Sequence, residues 1–161
     1  MNCYNSSAYL QETLDTVLSQ TYQNYEVIFW DNQSTDSSAE IFKKINDPRY
    51  KYFLSPRFTP LGEARNLAIE KAQGELIAFL DCDDLWLPKK LELCVPPFKS
   101  SKVGIVISDT WFFNEKKRKN SIRFKPTSNG ASFPGTTFPL LYFFGNRGYQ
   151  EGRVRFFRRS F

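Results

Sequence analysis

No histidine occurs among the 161 residues, which excludes Ser-His and Cys-His nucleophilic schemes. Cysteine is scarce and odd in number. Cys3, Cys82 and Cys94 are scattered along the chain, a pattern that fits a reducing compartment such as the cytoplasm and neither a disulfide framework nor a zinc site. No apolar run approaches the ~20 residues that cross a bilayer. The opening residues carry no basic region followed by an apolar stretch, the pattern of a secretory leader. At 41% hydrophobic and 24% charged, the composition nevertheless supports a packed core and argues against wholesale disorder.

The net charge of +5 conceals an asymmetry. Residues 1–114 hold 11 Lys+Arg against 15 Asp+Glu, a net of −4, whereas residues 115–161 hold 11 against 2, a net of +9. Basic character belongs to the tail, so a nucleic-acid partner for the whole domain is not expected. After Asn114 come the basic run EKKRKNSIRFK, then a Ser/Thr/Gly/Pro-rich stretch, then Phe and Tyr among arginines without period. The basic run reads as a solvated hairpin turn. A second reading of the tail, peripheral membrane contact through Phe143, Phe144, Phe156 and Phe157 among arginines, lacks a clean amphipathic period.

What is there in abundance is an alternation of short apolar strands and helical patterns. Leu10, Leu14, Val17 and Leu18 mark one face of a helix over about residues 7–20, and EVIFW at Glu26–Trp30 is a strand ending on Asp31. Ser37 and Glu40 have the spacing of a capping box for the next helix, and Lys51–Leu54 is a third strand. A helix over Leu61–Gln73 turns Ala64, Leu67, Ala68 and Ala72 inward, with Gly74 placed to end it. Six strand-like residues follow, then a helix from Pro88 to Cys94 that Pro96-Pro97 must stop, and the strand VGIVIS at Val103–Ser108. The order predicts βαβ units and a largely parallel sheet.

The segment GELIAFLDCDDLWLP carries the chemistry. Its strand stops on Asp81, Asp83 and Asp84, which places carboxylates at the rim of a sheet, where open α/β folds bind ligands. Three acids within four residues favour a shared cation, and oxygen-only ligands point to Mg²⁺ or Mn²⁺. The alternative is an Asp-rich turn capping the next helix.

Four ordered blocks give the pattern a family. CYN at Cys3–Asn5, LDTVLSQTYQNY at Leu14–Tyr25, EVIFWDNQSTDSS, and GEARNLAIEKAQGELIAFLDCDDLWLPKKLE together resemble the family-2 glycosyltransferases over roughly residues 2–113. That resemblance implies a GT-A fold, a Rossmann-like and mostly parallel sheet flanked by helices. It also implies a chain truncated at both ends: the first strand missing except for its end at CYN, and the base-bearing acidic region absent beyond VRFFRRSF. Residues 1–114 would be the nucleotide-sugar-binding half and residues 115–161 a basic, aromatic-rich remnant of the acceptor half, poorly ordered by itself.

Roles follow by resemblance. Tyr4 and Asp31 sit where the family holds the nucleotide base, with Asn32 in place of the usual second Asp. Arg65 sits where a basic residue approaches the nucleotide; its alternative is an ion pair with Asp31 or Glu63. Asp81 and Asp83 form the DxD, Asp83 for metal and Asp81 toward the ribose, with Asp84 either sharing the cation or capping a helix. The reaction implied is inverting, metal-dependent transfer of a sugar from a nucleotide-diphosphate donor to the hydroxyl of a saccharide or lipid-linked acceptor, by an enzyme of the cytoplasm or its membrane surface. No catalytic base is identified; Glu151 is the weak candidate, so a nucleotide- and metal-binding fragment without catalysis is the alternative.

Overall fold

The structure, a computed structural model, describes residues 1–101 and 103–108, together with the backbone of residues 155–158. Three parallel strands come first: β1 (Asn2–Cys3), β2 (Val27–Asp31) and β3 (Tyr50–Leu54), in the order β1-β2-β3. Cys3 pairs with Asp31, and Asp31 with Leu54, so the three strands run out at one level. Tyr4, Asn32 and Ser55 therefore leave the sheet side by side.

Every residue of β2 is buried, as expected for a strand covered on both faces. One face packs under α1 (Leu10–Leu18) and α2 (Ser38–Lys43), where Phe29 stacks on Phe42 with ring centroids 4.2 Å apart. The other face, Ile28 and Trp30, meets α3 (Leu61–Lys71) through Ala64 and Ala68; these short side chains let the helix backbone approach the strand closely.

The remaining strands are β4 (Leu76–Ala78), β5 (Ile105–Ile107) and β6 (Arg155–Arg158). Their order is β4-β6-β5, with β6 antiparallel to both neighbours. The α/β class and the parallel arrangement of the first sheet match expectation, and the closing VRFFRRSF does supply a strand. Glu151, Phe143, Phe144 and the basic run lie outside the described residues, as do the side chains of Phe156 and Phe157.

As expected, the end of the opening strand at CYN forms β1, hydrogen-bonded beside β2 through Trp30 N–H to Met1 O (2.9 Å) and Asn32 N–H to Cys3 O (2.8 Å). Several other local expectations need correction. Leu18 lies 39% exposed, and the fully buried Thr13 takes its place on the inner face of α1. Ser37 makes no side-chain cap; Asp36 accepts the Ser38 N–H instead at 3.0 Å. Gly74 does not close α3, because Ala72 is already extended; its N–H and that of Gln73 both donate to Glu26 Oε1. The strands expected at six residues are three long. Pro88 lies outside α4 (Lys90–Cys94), and the Pro96-Pro97 pair ends that helix by starting a 3₁₀ turn, Pro96–Lys99.

Candidate functional site

At the carboxyl ends of β1 and β2 lies a crevice of about 240 Å³. Asn2, Cys3, Tyr4 and Asn32 border it on the strand side. Phe58 to Leu61 and Ala64 border it on the other. Tyr4 (52% exposed) and Phe58 (59%) meet edge-on with centroids 4.9 Å apart. Two such large, unshielded rings at the mouth of a crevice present apolar surface for a flat ligand.

The loop bearing Phe58 is held in place by Asn32. Its Nδ2 donates to Thr59 O at 2.8 Å, while Thr59 N–H and Oγ1 donate to its Oδ1 at 3.1 and 3.0 Å. Both residues are buried, so each buried polar atom in this exchange finds a partner. Gln33 Nε2 donates to Ser55 O, and Ser55 N–H to Asp31 O. Gln33 stands at φ 70°, a left-handed conformation that strains a residue with a Cβ.

Asp31 ends β2. It is 1% exposed and does not line the crevice. Its Oδ2 accepts the Tyr52 hydroxyl at 2.6 Å and its Oδ1 the Ser34 N–H at 2.8 Å. Burial, then the Asp31 carboxylate, push the Tyr52 phenol well above the usual tyrosine range, which keeps it a donor. Of the three residues expected on the base side, Tyr4 and Asn32 line the crevice, and Asp31 braces the turn beside it.

Asp36 braces the same turn from its far end, accepting Ser7 N–H at 2.9 Å as well as Ser38 N–H. Partial burial would raise its pKa, but the hydrogen bonds from Ser38 and Ser7 outweigh that and hold it at about 2.

Arg65 follows the crevice residue Ala64 on α3 and forms an ion pair with Asp81 at 3.0 Å. Its partner is thus neither Asp31 nor Glu63, the latter being paired with Arg57. Asp83 is exposed, Asp84 half-buried, and Asp84 N–H turns back to Asp81 O at 3.3 Å. Among the described residues no three His, Cys, Asp or Glu side chains come together to hold a metal ion. The acids expected to share one cation thus sit in a tight turn, with Arg65 engaging Asp81.

Sequence reasoning missed what positions this acidic turn. Thr13 and Thr16 on α1, and Gln20 just past its C-terminal end, continue a polar spacing of i, i+3 and i+7 beside the apolar one. Thr13 Oγ1 donates to Cys82 O (2.9 Å), and Thr16 Oγ1 accepts Trp86 N–H (3.2 Å). Gln20 donates to Leu87 O (2.8 Å) and accepts Leu91 N–H (3.0 Å). The stripe was visible as a spacing, but its partners lie 67 to 71 residues away. Cys82 ties the turn to β1 as well, its thiol donating to Asn2 O at 3.3 Å. The neighbouring Cys82 thiol, against the opposing effect of burial, lowers the Cys3 thiol below the usual cysteine range.

The family model for Glycosyl transferase family 2 matches residues 1–161. An uncharacterized glycosyltransferase of Haemophilus influenzae is 45% identical over 94 residues, 57% of this chain and 38% of that protein. The Escherichia coli UDP-Glc:alpha-D-GlcNAc-diphosphoundecaprenol beta-1,3-glucosyltransferase WfaP is 37% identical over 100 residues, 62% of this chain and 40% of that protein. Among solved structures, residues 1–349 of Staphylococcus aureus TarS in complex with UDP-GlcNAc superpose with a TM-score of 0.52 at 31% identity. The match covers 57% of this chain and 27% of that one. The chain thus spans 38% and 40% of the length of the two curated relatives.

Proposed function

This chain belongs to glycosyl transferase family 2, with the GT-A fold, and from that premise we propose that it binds a nucleotide-diphosphate sugar and passes the sugar to an acceptor hydroxyl with inversion. The observation that carries the reading is the continuity of two features. A crevice walled by Tyr4 and Phe58 leads, one residue along α3, to the Arg65–Asp81 pair. A nucleoside fits the first, and a diphosphate suits the cation and the acids beside it.

Asp81 and Asp83 would hold a divalent ion, with Mg²⁺ and Mn²⁺ suited to an all-oxygen donor set. The arrangement fits such ions because they are commonly held by one or two carboxylates and complete their shell with water and substrate phosphates. Bound there, the ion supplies charge neutralisation for the departing diphosphate. Arg65 contributes a second, fixed positive charge on the same side, and without donor it offsets the charge of Asp81. Tyr4 and Phe58 exclude water from the base, and Asn32 keeps their loop in register. The acceptor is a saccharide or lipid-linked saccharide, a class supported by the diphosphoundecaprenol in the name of WfaP. Contact with a membrane surface would accompany it; among the described residues no helix is long and apolar enough to cross one.

Thermal melts with UDP or GDP, with and without Mn²⁺, test the reading. Ligand at about 100 times its Kd stabilises by about 2.7 kcal/mol, a rise of roughly 5–10 °C for a chain of this size. Unmoved melting with every nucleotide and metal would refute the site. Arg65→Ala should cut nucleotide affinity about tenfold. Without ligand the stability should change by less than about 1 kcal/mol, since the lost pair is partly open to solvent.

A further inference from the structure

We propose that Arg65 is a stand-in cation on the acidic turn, so that metal binds well only once a diphosphate has drawn the guanidinium away. This rests on the site reading above and concerns how that site is regulated. Arg65 Nη2 lies 3.0 Å from Asp81 Oδ1 and 3.4 Å from Oδ2. One positive nitrogen thus spans both oxygens of a carboxylate that a metal ion would use. The guanidinium carbon also lies 5.5 Å from the centroid of the Phe79 ring, two residues before Asp81, a cation–π contact that steadies it there.

Helix α3 makes this placement a property of the fold. Ala64 and Ala68 are buried against Ile28 and Trp30, which fixes the helix, and Arg65 follows directly on Ala64. Among the described residues Arg65 forms no other ion pair, since Glu63 is held by Arg57. Yet the pair is not sealed. The Arg65 and Asp81 side chains are 28% and 47% exposed, and a partly solvated pair of this kind is weak and separable.

Two partners then compete for Asp81, and two for Arg65. A divalent ion and a guanidinium draw on the same carboxylate lone pairs, and their like charges repel. A diphosphate offers Arg65 several charged oxygens at once, a better match for its planar fork than one carboxylate edge. Once Arg65 turns to the phosphates, Asp81 is released to the metal. Nucleotide therefore raises metal affinity by more than the direct metal–phosphate contact supplies, and linkage makes that coupling reciprocal.

The experiment follows free Mn²⁺ by electron paramagnetic resonance as it is titrated into wild type, Arg65→Ala and Arg65→Gln. Titrations run at low salt, without nucleotide and with saturating UDP, subtracting the Mn²⁺ that UDP holds in solution. Without nucleotide, both variants should bind Mn²⁺ about 3–10-fold more tightly than wild type, the weight of a partly exposed ion pair plus the repulsion removed. With UDP bound the three proteins should agree within about twofold, because Arg65 has by then left Asp81 in the wild type. Variants that bind Mn²⁺ alone no more tightly than wild type overturn the proposal. An equal gain with and without UDP overturns it as well, since that is charge repulsion without release. Removing a residue that merely supports the fold would weaken binding and could not strengthen it, and the second variant serves if the first does not fold. Wild type that holds no Mn²⁺ even with UDP refutes the site reading, and the proposal with it, a separate and recognisable failure.

Discussion

Replacing Asn32 by Asp gives the usual family residue at this position, yet it should destabilise this chain in a pH-dependent way. The amide is 5% exposed and donates from Nδ2 to Thr59 O across 2.8 Å. An ionised Asp would set a carboxylate oxygen against that carbonyl with no proton between them. Part of the damage is offset, since Thr59 N–H and Oγ1 would then donate to a charged acceptor. Loss of the bond plus the burial of unpaired charge should cost about 2–4 kcal/mol. A protonated Asp escapes most of this, because its O–H can donate to Thr59 O. The folded chain therefore holds the proton above the unfolded carboxyl value of about 3.9. Between the two values the unfolded state binds fewer protons, so stability relative to wild type falls as pH rises, by about 1.4 kcal/mol per unit. The deficit should be small below about pH 4, and complete between roughly pH 5.4 and 6.8. Urea unfolding of both proteins at pH 4, 5.5 and 7.5 measures it. At pH 7.5 the melt should drop by about 4–16 °C. A deficit that is absent, or the same at all three pH values, would refute the Asn32–Thr59 lock.

Two further outcomes follow from the bracing around the site. Gln20→Ala, at a residue 1% exposed, leaves the Leu87 carbonyl and Leu91 N–H without their partner and should cost about 2–4 kcal/mol. A urea midpoint within error of wild type at unchanged m would contradict this. Asp36, held at about 2, has a folded value below its unfolded one, so its stabilisation is present above about pH 4 and lost as pH falls toward 2. Asp36→Asn should lower stability at pH 7 and flatten the acid limb between those values; acid-unfolding curves of unchanged shape would show that Asp36 stabilises nothing.

The sequence by itself determined the sheet, the order of its elements and the residues near the site. Those features are written in local chemistry: the apolar run Val27–Trp30, the helical spacing of Leu10, Leu14 and Val17, the small Ala64 and Ala68, and a strand ending in acids. It also placed Tyr4, Asn32, Arg65 and Asp81 near one another by family resemblance. Which of them face the crevice was decided only by tertiary structure. Asp31 and Asn32 are neighbours in the chain and alternate about the strand end, so one reaches Tyr52 and the other Thr59. Arg65 pairs with Asp81, 16 residues away, while Glu63 pairs with Arg57, a tertiary choice no spacing rule reports. The lock of Asn32 on Thr59 became visible only once every partner within reach had been assigned. Hydrogen-bond satisfaction is a property of the whole packed arrangement, and that is the physical reason the sequence alone could not show it.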